Sequence, residues 1–340
     1  MLATLPDLLR LLVVPVFAWA ALRDVRTRRL PNRLWPPIYA FGLSLLLWEV
    51  ARLWPLAGFE GRLFVVQAAI SLLFVAPLGY AFWYLGAFGG ADAKALIAIA
   101  VVFPTFPTYV VGATVFPLVV TDVGVFSLTI LTNTVLLGLA YPVALAGYNL
   151  ANGEISPVAP LARPVSTTSL VDRHGRLFED TEGTTRNGLD LDALRMYLRW
   201  RGLTLAELRA EPQRLRDPAT VTKTYDPTDG GTHVGPRTDG GTAEGVASTE
   251  RVGSAERPAS VERTSDDPWA AERFLSEIDG TAYGTDPETL REGLTVVTTR
   301  EEVWVSPGLP FVVPMFLGIV VALTYGDLLF AALGALGLVA

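Results

Sequence analysis

Apolar runs near the length needed to cross hydrocarbon, roughly 20 residues, recur along this 340-residue chain. They fall at residues 5–22, 34–53, 63–88, 125–150 and 310–340, with a sixth at 93–111 that Pro104 and Pro107 interrupt. Backbone groups in a bilayer must find their hydrogen bonds internally, so runs of this kind cross as helices. With 51% hydrophobic residues and a mean hydropathy of +0.39, the expected fold is an α-helical polytopic membrane protein with six transmembrane helices. Residues 1–152 hold spans one to five, 306–340 hold span six, and 153–305 form a soluble insert. No basic stretch precedes the first run, no small-residue cleavage site follows it, and Arg10 interrupts it. It is therefore expected to be a retained span rather than a signal peptide.

Arg23, Arg26, Arg28, Arg29 and Arg33 crowd the first connection, which places that loop in the cytoplasm. Alternation across six spans then puts the insert inside and both termini outside, against a mild counter-signal from Arg52 and Arg62. The insert carries 27 acidic and 18 basic residues, a net of −9. Lysine occurs only at Lys94 and Lys223. Acidity with little lysine suits a salt-rich, halophilic cytoplasm, where self-repulsion is screened; a GC-rich genome favouring arginine codons explains the lysine poverty equally well. The acidic balance argues against a nucleic-acid partner.

Within the insert, residues 226–267 are rich in Gly, Thr, Ser, Pro and Glu and contain the repeat Thr228-Asp-Gly-Gly-Thr232 and Thr238-Asp-Gly-Gly-Thr242. Such composition predicts a disordered linker, and removal of 228–263 is expected to leave activity intact. Residues 190–209 have helical periodicity through Leu191, Leu194, Tyr197, Leu198 and Trp200, and 268–278 predict a short helix. Residues 294–298 and 303–305 read as short strands. The insert is thus expected to be a small cytoplasmic α+β domain around the linker.

Two acidic residues stand at the mouths of spans. Asp24 lies in Asp24-Val-Arg-Thr-Arg-Arg-Leu-Pro-Asn32 at the end of span one, and Asp92 in Gly89-Gly-Ala-Asp92-Ala-Lys94 at the start of span four. Two crossings separate them, so both fall on one membrane face. Ionisable groups at a bilayer are costly and tend to be functional, and two carboxylates sharing one proton can run a hydrolysis: one deprotonates water, the other donates to the oxyanion and the leaving amine. Rivals are lacking, because the chain has no cysteine and its histidines, His174 and His233, lie in the insert. A helix start favours a carboxylate at Asp92 and a helix end opposes one at Asp24, which makes Asp92 the base; the arginines around Asp24 push the other way. Gly89 and Gly90 predict close backbone approach or conformations closed to other residues, and Pro31 pins the loop before span two. Plainer readings stand beside these: Asp24 as an interfacial salt-bridge partner, Asp92 as a helix cap, and Lys94 as a snorkelling charge. Glu49 and Asp327 read as boundary charges, Asn133 as an interhelical hydrogen bond, and Pro310 with Pro314 as a kink or a groove lining.

In this order and with this sidedness, the two motifs resemble those of the prepilin and preflagellin peptidases, membrane aspartic proteases. Their pattern is an Asp followed by basic residues and Pro-Asn, then a Gly-x-Gly-Asp at the start of a later span. Asp24, Arg29, Pro31 and Asn32 match the first motif, Gly89 and Asp92 the second; Ala91 stands where the family has its second glycine. The resemblance implies catalytic Asp24 and Asp92, with Arg29, Pro31, Asn32, Gly89, Gly90, Ala91 and Lys94 in support, and no cofactor or metal. Without the cysteine-rich zinc segment of many bacterial members, the chain is similar to the shorter archaeal branch. That branch implies removal of a short basic leader from archaellin or type IV pilin precursors, whose hydrophobic N-terminal helix lies in the bilayer. A catalytically inactive assembly factor of the same fold, or a proton-coupled transporter, are the competing expectations. A presenilin-like protease would need a Tyr-Asp inside a span, and Tyr225-Asp226 lies in the insert.

Overall fold

The computed structural model describes residues 3–85, 88–232, 267–278, 282–308 and 310–338. The chain divides into two compact units, Met1–Ala144 with Leu309–Ala340, and Leu145–Gly308.

The first unit opens with α1 (Leu5–Arg10) and α2 (Val13–Thr27), which together give an apolar stretch long enough to span, Leu5–Thr27. On α2 the buried positions Val13, Phe17, Ala20, Ala21 and Asp24 recur at helical spacing. Arg28 ends the helix in the left-handed region (φ 54°, ψ 21°), and its N–H donates to the Asp24 carbonyl at 2.9 Å. Pro31 then leads through a turn at Asn32–Leu34 into α3 (Trp35–Leu53). Two further helices, α4 (Gly58–Ile70) and α5 (Ala76–Tyr84), are joined by one π-helical turn into a single stretch, Gly58–Tyr84.

Next comes α6 (Gly90–Val102), the centre of the unit: Ala95, Leu96, Ala98, Ile99, Ala100 and Val102 are all fully buried. It packs against α3 and α5, and Gly42 allows the approach of α3, since a Cβ there would lie 2.8 Å from Val102 Cγ2. Phe103 precedes Pro104 and leaves the helical region (φ −121°, ψ 56°), so α6 stops there. The chain instead folds a hairpin of β1 (Tyr109–Val111) and β2 (Thr114–Phe116), pairing Tyr109 with Phe116, before α7 (Phe126–Ala151).

In the second unit β3 (Arg163–Ser166), β4 (Arg176–Leu177) and, later in the chain, β5 form an antiparallel sheet in the order β3-β5-β4. Between them run α8 (Leu191–Arg201), α9 (Leu205–Ala210), α10 (Pro212–Leu215), α11 (Ala271–Glu277) and α12 (Pro287–Thr299), and then β5 (Glu302–Ser306). Gly202 (φ 66°) breaks the periodic segment 190–209 into α8 and α9. Residues 294–298, expected as a strand, are helical: Asp286 caps α12, Pro287 opens it, and Leu290, Leu294 and Val297 line one buried face at helical spacing. The second expected strand is present as β5. Tyr197, Trp200 and Phe274 stack edge-on and tilted in the core, with ring centroids 5.4 to 6.0 Å apart.

Most of the expected linker, 233–266, lies outside the described residues. Its first repeat does not: Thr228–Thr232 is bound to α8, with Arg195 donating to the Gly230 carbonyl and Arg199 to Thr228 Oγ1 and the Gly231 carbonyl.

The chain returns to the first unit with α13 (Val312–Thr324) and α14 (Leu328–Ala335), and α13 packs on α2. Pro314 falls in the first turn of α13, where no intrahelical N–H bond is lost, so it does not kink the helix. Among the described residues four helices, not six, are long and apolar enough to cross: Leu5–Thr27, Asn32–Leu53, Gly58–Tyr84 and Phe126–Ala151. The runs 93–111 and 310–340 yield shorter helices, one cut by Pro104 and the other by the break at Gly326 (φ 105°). Asn133 re-satisfies that break, donating to the Gly326 carbonyl at 2.8 Å and accepting from Leu328 N–H at 3.0 Å.

Glu49 and Asp327 are not boundary charges. Asp327 is 3% exposed, caps α14 and accepts from Thr129 Oγ1 at 2.7 Å. Glu49 is buried against Arg10, which also binds Asp7, each at 2.7 Å, and donates to the Val102 carbonyl at 2.9 Å. That carbonyl belongs to the last turn of α6, which has no partner within the helix.

Candidate active site

Asp24 occupies the core-facing stripe of α2, where the helical period calls for an apolar residue, and is only 7% exposed. Asp92 is the third residue of α6, and its Oδ2 accepts the N–H of the capping Gly89 at 3.1 Å. The charges of Asp24 and Asp92 act on one another, and the Arg28 guanidinium acts on both. Two motifs 68 positions apart therefore meet in one electrostatic site.

A direct bond also joins the motifs. Lys94 Nζ donates to Asn32 Oδ1 at 2.7 Å, and the Lys94 carbonyl accepts from the Tyr39 hydroxyl at 3.0 Å. Lys94, one expected snorkelling charge, thus holds the loop after α2 with its side chain and the second turn of α3 with its backbone. Pro31, extended at φ −66° and ψ 133°, aims the chain into the turn that begins at Asn32. Arg29 is half-buried, and its carbonyl accepts from Arg23 and from Thr27 Oγ1.

The glycines serve differently from expectation. Neither Gly89 nor Gly90 takes a positive φ; what Gly89 supplies is space, because a Cβ there would lie 3.1 Å from Asp92 Oδ2. At Gly90 the nearest atom would be Trp83 Nε1 at 3.8 Å, ordinary contact. Ala91 lies in the first turn of α6 without a positive φ, and its side chain packs against the core, so no glycine is required there. Beside this turn Phe88 stacks on Phe82 and Phe311, with centroids 4.9 and 4.7 Å apart.

Two carboxylates beside a guanidinium, with one proton shared between them, are groups that can activate water and protonate a leaving group. Sequence reasoning singled out both aspartates, Asn32 and Lys94, but not the bond between the last two. It missed Tyr39, an ordinary aromatic within an apolar run, and the special place of Arg28, indistinguishable by type from its four neighbouring arginines. Among the described residues no three His, Cys, Asp or Glu side chains gather as a metal site.

The model of the type IV leader peptidase family matches residues 11–143, which include both motifs. That of the archaeal Peptidase A24 C-terminus, type II, matches residues 263–328. No curated protein and no solved structure matches the chain.

Proposed function

Because the chain belongs to the type IV leader peptidase family in its archaeal form, we propose that it is an aspartic endopeptidase, with Asp24 and Asp92 as its dyad. On this reading it removes the short basic leader from archaellin or type IV pilin precursors at the cytoplasmic face of the membrane. That the protein is a membrane protease acting on precursor proteins follows from the family and from its apolar helices. The finer reading rests chiefly on one observation: two carboxylates from separate motifs lie within each other's field.

The chemistry needs one of the pair ionised and one protonated. Asp92, at the positive end of α6, takes a proton from water as the water oxygen attacks the scissile carbonyl carbon, while Asp24 gives its proton to the carbonyl oxygen. The resulting diol then returns a hydroxyl proton to Asp24. Asp92 passes its proton to the leaving nitrogen, the carbon–nitrogen bond breaks, and both carboxyl groups regain their starting states. Arg28 steadies the charge that remains on the pair throughout. A leader of basic residues followed by a hydrophobic helix suits a site at the end of membrane helices, and the five arginines around Asp24, Arg23, Arg26, Arg28, Arg29 and Arg33, support the cytoplasmic side.

Cleavage of an archaellin or pilin precursor in membranes carrying wild type, Asp24→Asn or Asp92→Asn tests this reading. Loss of the leader with wild type alone, all three accumulating equally, is the expected result. Cleavage by both variants would end the aspartyl mechanism. Failure of the wild type on several precursors at high salt would move an assembly role ahead.

A further inference from the structure

The helix that carries Asp92 has little on its own surface to fix its position. Ala91, Ala93, Ala95, Ala98 and Ala100 make α6 smooth, and the apolar contacts that bury it are non-directional. Directional bonds hold it at its two ends instead. Toward the far end Arg10 holds the Val102 carbonyl and buried Ser71 donates to the Ala100 carbonyl at 2.6 Å. At the near end, among the described residues, two side chains bond Lys94: Asn32 accepts from its ammonium and Tyr39 donates to its carbonyl.

Lys94 follows Asp92 by two positions, about 200° around the helix, so its side chain leaves on the other side and does not compete for the dyad. The chain from Asp24 through left-handed Arg28 and Pro31 to Asn32 is nine residues long, and the bond to Lys94 closes it against the turn that bears Asp92. Tyr39 adds a third support from α3 and is itself packed against the core. We propose that Asn32, Lys94 and Tyr39 form a clamp that sets the spacing between the two carboxylates, making them positioning residues of the reaction. The proposal rests on the dyad reading above.

A clamp of this kind acts on the chemical step more than on binding. Displacement of a reacting group by about 1 Å costs roughly 100-fold in rate, so Asn32→Ala and Lys94→Met are each expected to lower kcat by about that factor with KM nearly unchanged. The double variant should be no slower than either single one, since both remove the same bond. Asn32→Asp keeps the acceptor and should retain most activity, which separates positioning from misfolding. Tyr39→Phe should lower kcat by a smaller factor.

A merely structural role would leave one readout unmoved. Arg28 acts on both carboxylates of the dyad and Asp24 on Asp92, and the separation of the dyad's two macroscopic steps grows with the closeness of the carboxylates. In Asn32→Ala, which removes no charge, the bell of kcat against pH should therefore narrow. The proposal falls if Asn32→Ala and Lys94→Met cleave at the wild-type kcat, if their effects add in the double variant, or if Asn32→Ala slows cleavage with an unchanged bell. Asp24→Asn and Asp92→Asn run in parallel: cleavage by these would sink the dyad itself, whereas their inactivity beside fully active clamp variants would sink the clamp alone.

Discussion

At Gly89 the space beside the α-carbon is already taken by the carboxylate it serves. Replacing it with alanine sets a methyl 3.1 Å from Asp92 Oδ2, tighter than ordinary contact, so the carboxylate has to shift by a few tenths of an ångström and its bond from the Gly89 N–H is disturbed. Gly90→Ala meets nothing nearer than 3.8 Å. Gly89→Ala is therefore expected to lower kcat by about tenfold or more, and Gly90→Ala to leave it nearly unchanged; steady-state cleavage of one precursor by both variants checks this, and equal losses would contradict it. The two glycines look alike in sequence, and their difference is not legible there because it depends on where the Asp92 side chain turns. The aspartates were legible because a carboxylate at the mouth of an apolar run breaks the pattern, Asp24 at the end of one and Asp92 at the start of another. Arg28, Tyr39 and the Asn32 bond were not, since each is ordinary by type and acts only through a neighbour distant in the chain.

Helix ends decide most of what sequence periodicity left open among the elements. Residues 294–298 are β-branched and apolar enough to pass for a strand, but Asp286 and Pro287 upstream start a helix that carries through them. The long spans were legible from length alone, whereas α6 and α13 are cut short by local backbone geometry at Pro104 and Gly326. In the insert Asp190 shows an electrostatic side to capping: it accepts the Asp192 N–H at 2.8 Å at the start of α8. Burial, aided by the Asp192 charge and opposed by that bond and by Arg176 and Arg195, lifts its pKa to about 6. The unfolded value is about 3.9, so the folded form binds more protons between these limits. The stability this group lends is complete below pH about 4 and is lost as pH rises through about 6. Asp190→Asn keeps a capping oxygen and cannot titrate. Thermal unfolding of the insert at pH 4.5 and pH 7.5 should show a smaller fall in midpoint for the variant; an identical fall would clear Asp190 of the effect.

For the whole molecule, the first copy of the Thr-Asp-Gly-Gly-Thr repeat changes what can be removed. Gly230 lies at φ 71°, where a Cβ would collide with the Asp192 carbonyl, and buried Arg195 depends on the Gly230 carbonyl. A deletion from residue 228 would strip α8 of these partners, so the dispensable stretch is better bounded at 233–263. Replacing 233–263 with a Gly-Ser segment of equal length should leave leader cleavage within about twofold of wild type; a larger loss in protein that still inserts would give this stretch a role of its own. The length of α6 bears on the reaction as a whole. Thirteen residues rise roughly 20 Å, while the hydrocarbon layer is roughly 30 Å thick, and tilt only lowers the helix's height. Unless the bilayer thins around it, at least one of its two charged ends must lie below the level of the headgroups. At the far end Arg10 pairs with both Asp7 and Glu49, and nothing proposed there asks for solvent. If hydrolysis runs at the near end, as proposed, that end does, and the shortness of α6 then predicts that the Asp92 end floors a wet recess, with water brought down to a bond that can stay at membrane depth.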